Sequence, residues 1–348
     1  MTSDTLHDVI FGNAARVLSS FDHGRFDLAV TSPPYPMISM WDDTFCSLDE
    51  RIGTSLQEKR AEDAFELMHL QLDDIWKRLY DSLTPGGLAC INIGDATRSF
   101  GGNFRIFPNH ARILRACVDA GFEVLPEIIW RKQSNKPNKF LGSGMLPPGA
   151  YATQEHEFII VLRKGGKRIF KESEMVSRRY ESAYFWEERN AWFSDIWEDI
   201  RGERQVLTHS GRRTAAFPLE LCYRLICMFS IAGDTILDPF LGTGTTTAAS
   251  IAAGRNSMGV EIDSSFREDI YNRARSAVSL SADLKERRLD AHRKFISGNA
   301  RIKHDAEHSY VNRNYGFPVV TAQETELLLP DLNEVVVSPD GRIRAIYL

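Results

Sequence analysis

Short apolar runs rich in β-branched residues alternate along this chain with longer stretches of helical periodicity. That is the pattern of a mainly parallel sheet with helices packed between its strands, and so of the α/β class. Strands are predicted at residues 9–11, 27–31, 87–93, 124–130, 157–163, 235–238 and 257–262. Between the second and third, Phe65, Leu67, Met68, Leu72, Ile75, Trp76, Leu79 and Leu83 recur three and four apart, which predicts a helix over 61–83. It stops at Thr84-Pro85-Gly86-Gly87, a helix end followed by a turn. Residues 108–120 and 218–230 read as helices in the same way.

Three stretches break the rhythm. Residues 36–60 form a long polar connection containing Met40-Trp41-Asp42-Asp43, read as a lid or binding loop. Residues 131–150 are rich in Lys, Asn, Pro and Gly. Residues 164–213 mix basic side chains with Tyr180, Tyr184, Phe185, Trp186, Trp192, Phe193 and Trp197, most of which read as the core of a small domain. The C-terminal part begins with a charged helix at 282–295, read as a solvated surface helix. It ends in a hairpin of 335–337 and 343–348 turning at Pro339-Asp340-Gly341.

Composition narrows the chemistry. A chain of 348 residues, 43% of them hydrophobic, can bury one large core, alone or with an appended region. The N-terminus lacks a basic stretch followed by an apolar segment, and there is no run of eighteen apolar residues, so a cytoplasmic location without membrane contact is expected. Cys46, Cys90, Cys117, Cys222 and Cys227 form no CxxC pair and mostly sit in apolar runs, which predicts reduced thiols and no metal site. None follows a proline. The net charge is −5, yet residues 130–213 carry 16 Lys/Arg against 11 Asp/Glu, a local +5 that leaves −10 elsewhere. A polyanion would be drawn to that region and turned away from others.

Two segments carry the candidate chemistry. Asp238-Pro239-Phe240-Leu241-Gly242-Thr243-Gly244-Thr245-Thr246 follows a predicted strand. Its glycines let the turn approach a flat nucleoside without intervening Cβ atoms. Downstream, Met258-Gly259-Val260 delivers Glu261, an acidic side chain at the end of the next strand that suits ribose hydroxyls. The glycine spacing is neither GxGxxG nor a P-loop. Far upstream, Thr31-Ser32-Pro33-Pro34-Tyr35 also leaves a strand. An exocyclic amine is a poor nucleophile because its lone pair is delocalised into the ring. Ser32 Oγ and the Pro33 carbonyl offer acceptors that draw such a nitrogen toward sp³ geometry, Pro33 and Pro34 stiffen the loop, and Tyr35 offers a ring face to a flipped base. Taken alone, Ser-Pro-Pro-Tyr also fits a plain turn.

The pair, in this order, resembles the permuted (beta) group of DNA amino-methyltransferases, whose catalytic motif precedes the DPFxGxGTT signature. Further likenesses are Phe217-Pro218-Leu219-Glu220-Leu221 to FPxxL, the 254–263 stretch to GR..iGvEid, Leu83 to Gly87 to LkpGG, Ile129 to Lys132 to iiWxK, and 155–161 to hE.ilvf. The resemblance implies a seven-stranded, mostly parallel Rossmann-like sheet with an inserted DNA-recognition region and a small C-terminal extension. The divisions implied are a catalytic half (1–163), a target-recognition region (164–213), a cofactor half (214–278) and the extension (279–348). The implied cofactor is S-adenosyl-L-methionine, leaving as S-adenosyl-L-homocysteine, with no metal. Its implied contacts are Asn13, Thr31, Phe217, Pro218, Asp238, Pro239, Phe240, Gly242, Gly244, Thr245, Thr246, Glu261 and Ile262. Asn13 stands where the family has Asp, so a charge is lost there. The catalytic residues implied are Ser32, Pro33, Pro34 and Tyr35, with direct attack of the amine and no covalent enzyme intermediate.

A serine at the first motif position is found mostly in enzymes making N4-methylcytosine. Moreover, the continuation Pro36 to Asp42 resembles a subgroup associated with CTAG sites. The expected function is therefore N4-cytosine methylation of double-stranded DNA in a restriction-modification system, with a separately encoded endonuclease as a possible partner. A monomer or weak dimer suffices, because each strand is modified in a separate event. Expected DNA contacts are Arg131, Lys132, Lys136, Lys139, Arg178, Arg179, Arg212 and Arg213. His156, just before a strand, is read as ordering the pocket rather than as a general base. The competing readings are an adenine-N6 enzyme, an RNA or protein-glutamine methyltransferase, and a non-catalytic DNA-binding module. Motif order opposes the second of these, and the intact Ser32, Pro33, Tyr35 and Glu261 oppose the third.

Overall fold

The computed structural model describes residues 4–100, 102–132, 141–202, 217–298 and 310–348. Among these, one eleven-stranded sheet forms the centre. Its strands in chain order are β1 (Thr5–Phe11), β2 (Phe26–Thr31), β3 (Leu83–Ile93), β4 (Glu123–Val124), β5 (Ile128–Arg131), β6 (His156–Arg163), β7 (Ile196–Trp197), β8 (Thr235–Asp238), β9 (Asn256–Glu261), β10 (Leu332–Val337) and β11 (Ile343–Tyr347). Across the sheet the order is β7-β5-β6-β3-β2-β8-β9-β1-β11-β10, with β4 pairing β6. From β1 through β9, β8 and β2 to β3 every pair is parallel. Strand β6 runs antiparallel between β3 and β5. The seven strands β1, β9, β8, β2, β3, β6 and β5 are the sheet expected from the sequence, here widened at both edges.

Both faces are covered, so the central strands are apolar throughout. The α-helices of the described residues are, in chain order, α1 (Ala14–Leu18), α2 (Asp42–Leu48), α3 (Glu50–Gln57), α4 (Ala61–Ser82), α5 (Asn109–Asp119), α6 (Ser173–Glu181), α7 (Trp186–Trp192), α8 (Leu219–Phe229), α9 (Thr245–Ala253) and α10 (Arg267–Gly298). Along β2, Ala29 faces a core shared with α4, while Leu28 and Val30 face the core under α8. The helix α9 (Thr245–Ala253) is buried at every position. Its run of Thr and Ala keeps side chains short enough for α8, the sheet and the long helix that follows β9 to close around it.

Residues 36–60 are helical, where a loop was expected. A turn of 3₁₀ helix (Ser39–Trp41) leads into α2 (Asp42–Leu48) and α3 (Glu50–Gln57). Phe45, Leu48, Ile52 and Leu56 recur at helical spacing, and Asp49 accepts the Arg51 amide at 3.0 Å to start α3. The charged helix expected from 282 is the second half of one 32-residue helix, α10 (Arg267–Gly298). It is no solvated surface helix: Leu284, Arg288, Leu289 and His292 are buried. The expected C-terminal hairpin is present, and β11 lies antiparallel on β1 as the next strand of the main sheet.

Most of the aromatic stretch after residue 164 packs as core, with Tyr180 and Trp186 exposed. Trp192 and Trp197 join the cluster under α8, while Phe185 stacks on His292 of α10 with ring centroids 4.1 Å apart. The buried guanidinium of Arg288 donates to both oxygens of Glu188, at 2.6 and 2.7 Å, and to the Tyr223 hydroxyl at 3.0 Å. Glu188 also accepts the Phe185 amide at 2.9 Å. A buried pair of this kind is costly to split because the charge left behind is uncompensated. Glu188→Ala should therefore lower unfolding free energy by about 3–5 kcal/mol. The paired replacement Glu188→Leu with Arg288→Met should cost less than either single change, as read from denaturant midpoints of the three proteins.

Candidate functional site

The chain leaves β1, β2, β8 and β9 at the carboxyl ends of parallel strands, and there a cavity of about 600 Å³ opens. Both motifs line it: Ser32, Pro33, Pro34 and Tyr35 on one side, Pro239 to Thr243 with Thr245, Glu261 and Ile262 on the other. Asn13 and Phe217 also reach it. The α2 segment supplies a wall of Ile38, Met40, Trp41 and Phe45.

Several expected cofactor residues lie beneath the cavity rather than on it. Asp238 is buried, and its carboxylate accepts the Thr31 hydroxyl at 2.6 Å, the Thr246 hydroxyl at 2.5 Å and the Phe240 amide at 3.0 Å. Thr31, Asp238 and Thr246 thus tie the catalytic strand to the glycine turn. Burial pushes the Asp238 carboxyl up to about 6, with the three hydrogen bonds opposing that shift. Pro218 stands at the start of α8, and Gly244 faces inward, where a Cβ would come within 3.2 Å of Ile270. Gly242 is different. Its φ is +57° and a side chain there would project into open space, so the turn presents bare backbone to the cavity. Its amide donates to Glu261 Oε2 at 2.7 Å, and the Asp263 amide donates to Oε1 at 2.8 Å. Each oxygen keeps a lone pair for a ligand hydroxyl. Burial lifts Glu261 to about 7. Asn13 caps the short helix Ala14–Leu18 by accepting the Arg16 amide at 3.3 Å.

The catalytic side holds residues to which sequence reasoning gave no role. Tyr35 donates its hydroxyl to Glu157 Oε2 at 3.0 Å, and Asn92 Nδ2 donates to that same carboxylate oxygen at 2.7 Å and to the Tyr35 hydroxyl at 2.9 Å. Lys132 pairs with the other oxygen of Glu157. Ser32 Oγ donates to the Tyr35 hydroxyl at 3.3 Å. Burial, and then the neighbouring Glu157 charge, hold the Tyr35 phenol well above its usual range. A carboxylate only accepts, so Tyr35 spends its one proton on Glu157, and Ser32 spends its proton on Tyr35. The lone pairs of Ser32 are left for the cavity. The loop itself is pinned from behind, where Asn109 Nδ2 donates to the Pro36 carbonyl at 3.1 Å and to Gly94 at 3.0 Å. Met37, next in the chain, sits at φ +66°, a strained angle for a side chain of its kind.

Of the expected DNA contacts, Lys132 lies in the cavity wall on Glu157, and Arg131 is exposed beside it, paired with Glu155 at 3.2 Å and Glu198 at 2.9 Å. Arg178 and Arg179 lie elsewhere in the fold. Their helix, Ser173–Glu181, packs where the chain enters β8: Ser182 accepts the Ala232 amide at 2.8 Å, and Arg178 lies against Gly233. That is the amino end of the parallel strands, opposite the end at which the cavity opens. Lys136, Lys139, Arg212 and Arg213 fall outside the described residues. His156 does not line the cavity; its ring meets Phe158 edge-on. Among the described residues no cluster of His, Cys, Asp or Glu could hold a metal, and no helix is long and apolar enough to cross a membrane.

Residues 26–272 match the family model described as DNA methylase, the N6/N4 type. The Type II methyltransferase M.MthZI of Methanothermobacter thermautotrophicus is 48% identical over 93% of this chain and 90% of its own. The Type II methyltransferase M.MjaI of Methanocaldococcus jannaschii is 50% identical over 76% of this chain and 89% of its own. The structure of a DNA modification methylase from Thermus thermophilus, in complex with S-adenosyl-L-methionine, superposes with a TM-score of 0.61 at 32% identity, covering 78% of this chain and 95% of that one. The PvuII DNA methyltransferase, cytosine-N4-specific, shares the fold at a TM-score of 0.51 and 16% identity, covering 79% of this chain and 93% of that one. With Ser32 to Tyr35, the glycine turn and Glu261 all inside the matched residues, the chain belongs to the N6/N4 DNA methylases, enzymes that use S-adenosyl-L-methionine to methylate an exocyclic amine of DNA.

Proposed function

We propose that this enzyme methylates the N4 amine of cytosine in double-stranded DNA as the protective half of a restriction-modification system. The observation that carries the reading is Ser32: it is the serine form of the motif, it lines the cavity, and its proton is committed to Tyr35. Its free lone pairs, with the Pro33 carbonyl, then serve as acceptors for the two hydrogens of a flipped amine and draw the nitrogen toward sp³. The two Type II relatives support a place in restriction-modification.

The cavity fits the cofactor. Gly242 offers backbone without a Cβ, Glu261 has lone pairs free for ribose hydroxyls, and Pro239, Phe240 and Ile262 give apolar walls for an adenine ring. When bound there, S-adenosyl-L-methionine supplies an electrophilic methyl group. The wall of Ile38, Met40, Trp41, Thr44, Phe45 and Leu48 shields the reacting amine from water. Arg131 and the basic residues around 133–140 and 204–213 are the proposed DNA grip, offsetting a flipping cost of a few kcal/mol. The likeness of Pro36 to Asp42 to CTAG-associated enzymes makes a CTAG duplex the first substrate to offer.

Three outcomes are expected. Label from radioactive S-adenosyl-L-methionine should appear in N4-methylcytosine after digestion of the DNA; label in N6-methyladenine would retain Ser32 as acceptor and refute the choice of base. Gly242→Asp should weaken cofactor binding by tenfold or more in calorimetry, because its side chain enters the cavity beside Glu261. Cofactor affinity should also fall as pH drops through about 7, where Glu261 takes up its proton and one lone pair of the ribose grip is lost. Glu261→Gln should flatten that dependence, and a flat wild-type curve would remove Glu261 from the binding site.

A further inference from the structure

We infer that the proton released by the methylated amine travels along Ser32 and Tyr35 to Glu157, which acts through those two hydroxyls as the terminal acceptor. The inference rests on Ser32 receiving the amine, as proposed above, but not on which base carries that amine.

The geometry gives the chain of hydrogen bonds one direction. Ser32 Oγ to Tyr35 Oη is 3.3 Å and Tyr35 Oη to Glu157 Oε2 is 3.0 Å. Asn92 Nδ2, an obligate donor, contacts both Tyr35 Oη and Glu157 Oε2. It fills the position from which Tyr35 would otherwise receive a reversed bond and holds the phenol proton on the Glu157 side. Glu157 is buried, whereas the Lys132 ammonium on its second oxygen is 41% exposed. That ammonium stabilises the carboxylate between turnovers and marks the route by which the proton leaves to water. Position 157 breaks an apolar strand with a charge that no fold requirement explains, since the neighbouring inward positions Ile159 and Val161 are apolar and buried.

The step balances. The amine lone pair forms the new N–C bond and the C–S pair returns to sulfur. The N–H proton passes to Ser32 Oγ, the Ser32 proton to Tyr35 Oη, and the Tyr35 proton to Glu157 Oε2. A cationic methyl donor and a carboxylate become a neutral thioether and a carboxylic acid, and both hydroxyls end as they began. Tyr35 stays a neutral phenol throughout.

The test is single-turnover methylation by the full chain, at saturating cofactor and DNA, followed against pH for wild type, Glu157→Gln and Tyr35→Phe, with cofactor and DNA affinities measured separately by titration. Saturation removes the contribution of Glu261 to binding. In the wild type the rate should fall on the acid side. Each variant should be slower by roughly 10²-fold and lose that acid limb, general acid–base contributions being of this order, while both affinities change by less than about threefold. A Glu157→Gln enzyme that keeps the acid limb at a uniformly lower rate would overturn the relay and leave a merely positioning Glu157. If Glu157→Gln no longer binds cofactor, Tyr35→Phe decides: loss of the limb supports the relay and its retention overturns it. Ser32→Ala and the product assay report on the underlying reading independently, since a relay failure leaves both unchanged.

Discussion

The whole site hangs on one buried carboxylate. Asp238 accepts hydroxyls from Thr31 and Thr246 and the Phe240 amide, and Thr31 is 207 positions away from it in the chain. Strands β2 and β8 are sheet neighbours, but their ladder ends at Ala29 and Leu237, short of the motifs. Beyond that point the two chains diverge, and the Asp238 hydrogen bonds are what keep Ser32 and Gly242 facing one cavity. Burying a carboxylate is tolerable only if its lone pairs are satisfied. The raised Asp238 carboxyl shows that even three bonds do not fully offset the lost water. The motif order along the chain is then immaterial: any connection that brings these two strand ends together builds the same pocket.

In a parallel sheet all the loops that can carry chemistry emerge at one end, and the opposite end is free for other work. Here that end is closed by the segment following β6. Arg168 donates to both oxygens of Asp234, at 2.6 and 2.9 Å, and approaches Asp27 at 3.5 Å, clamping the amino ends of β8 and β2. Among the described residues the basic side chains of 130–213 therefore lie at both ends of the sheet: Arg168 holds strand starts, while Arg131 and Lys132 stand at the end where the cavity opens.

Much of this is legible in the sequence, for identifiable reasons. Parallel strands buried on both faces read as continuous apolar runs, and ligand turns need glycine where backbone must be bare, so β2, β8, β9 and Gly242 are visible from the residue pattern alone. What escapes it is long-range. Asn92 and Glu157 each stand as a single polar residue in a buried strand, Cys90-Ile91-Asn92-Ile93 and Glu157-Phe158-Ile159, and such interruptions are the signal that is present. Their meaning requires knowing that β3 and β6 are neighbours, with Phe158 opposite Ile93, a pairing that no local pattern encodes. Residues 36–60 mislead for the opposite reason: α2 and α3 are short and polar, and of their large apolar side chains Phe45 and Ile52 are the buried ones.

The antiparallel β6 explains why such a network can exist at all. Were β6 parallel to β3, its amino end would sit across the sheet and Glu157 would lie far from Tyr35. Reversing the strand brings its first residues to the carboxyl ends of β2 and β3, so a side chain from residue 157 meets one from residue 35 directly. Strand β5, antiparallel to β6 and so directed like β3, ends on the same side at Lys132 and places its ammonium on the carboxylate that Tyr35 uses. Polar residues at these three strand ends then hydrogen-bond one another directly, which gives Ser32 a defined proton position. A serine in this motif is an acceptor only because something else holds its proton, and that something is supplied by the one strand in the central seven that runs backwards.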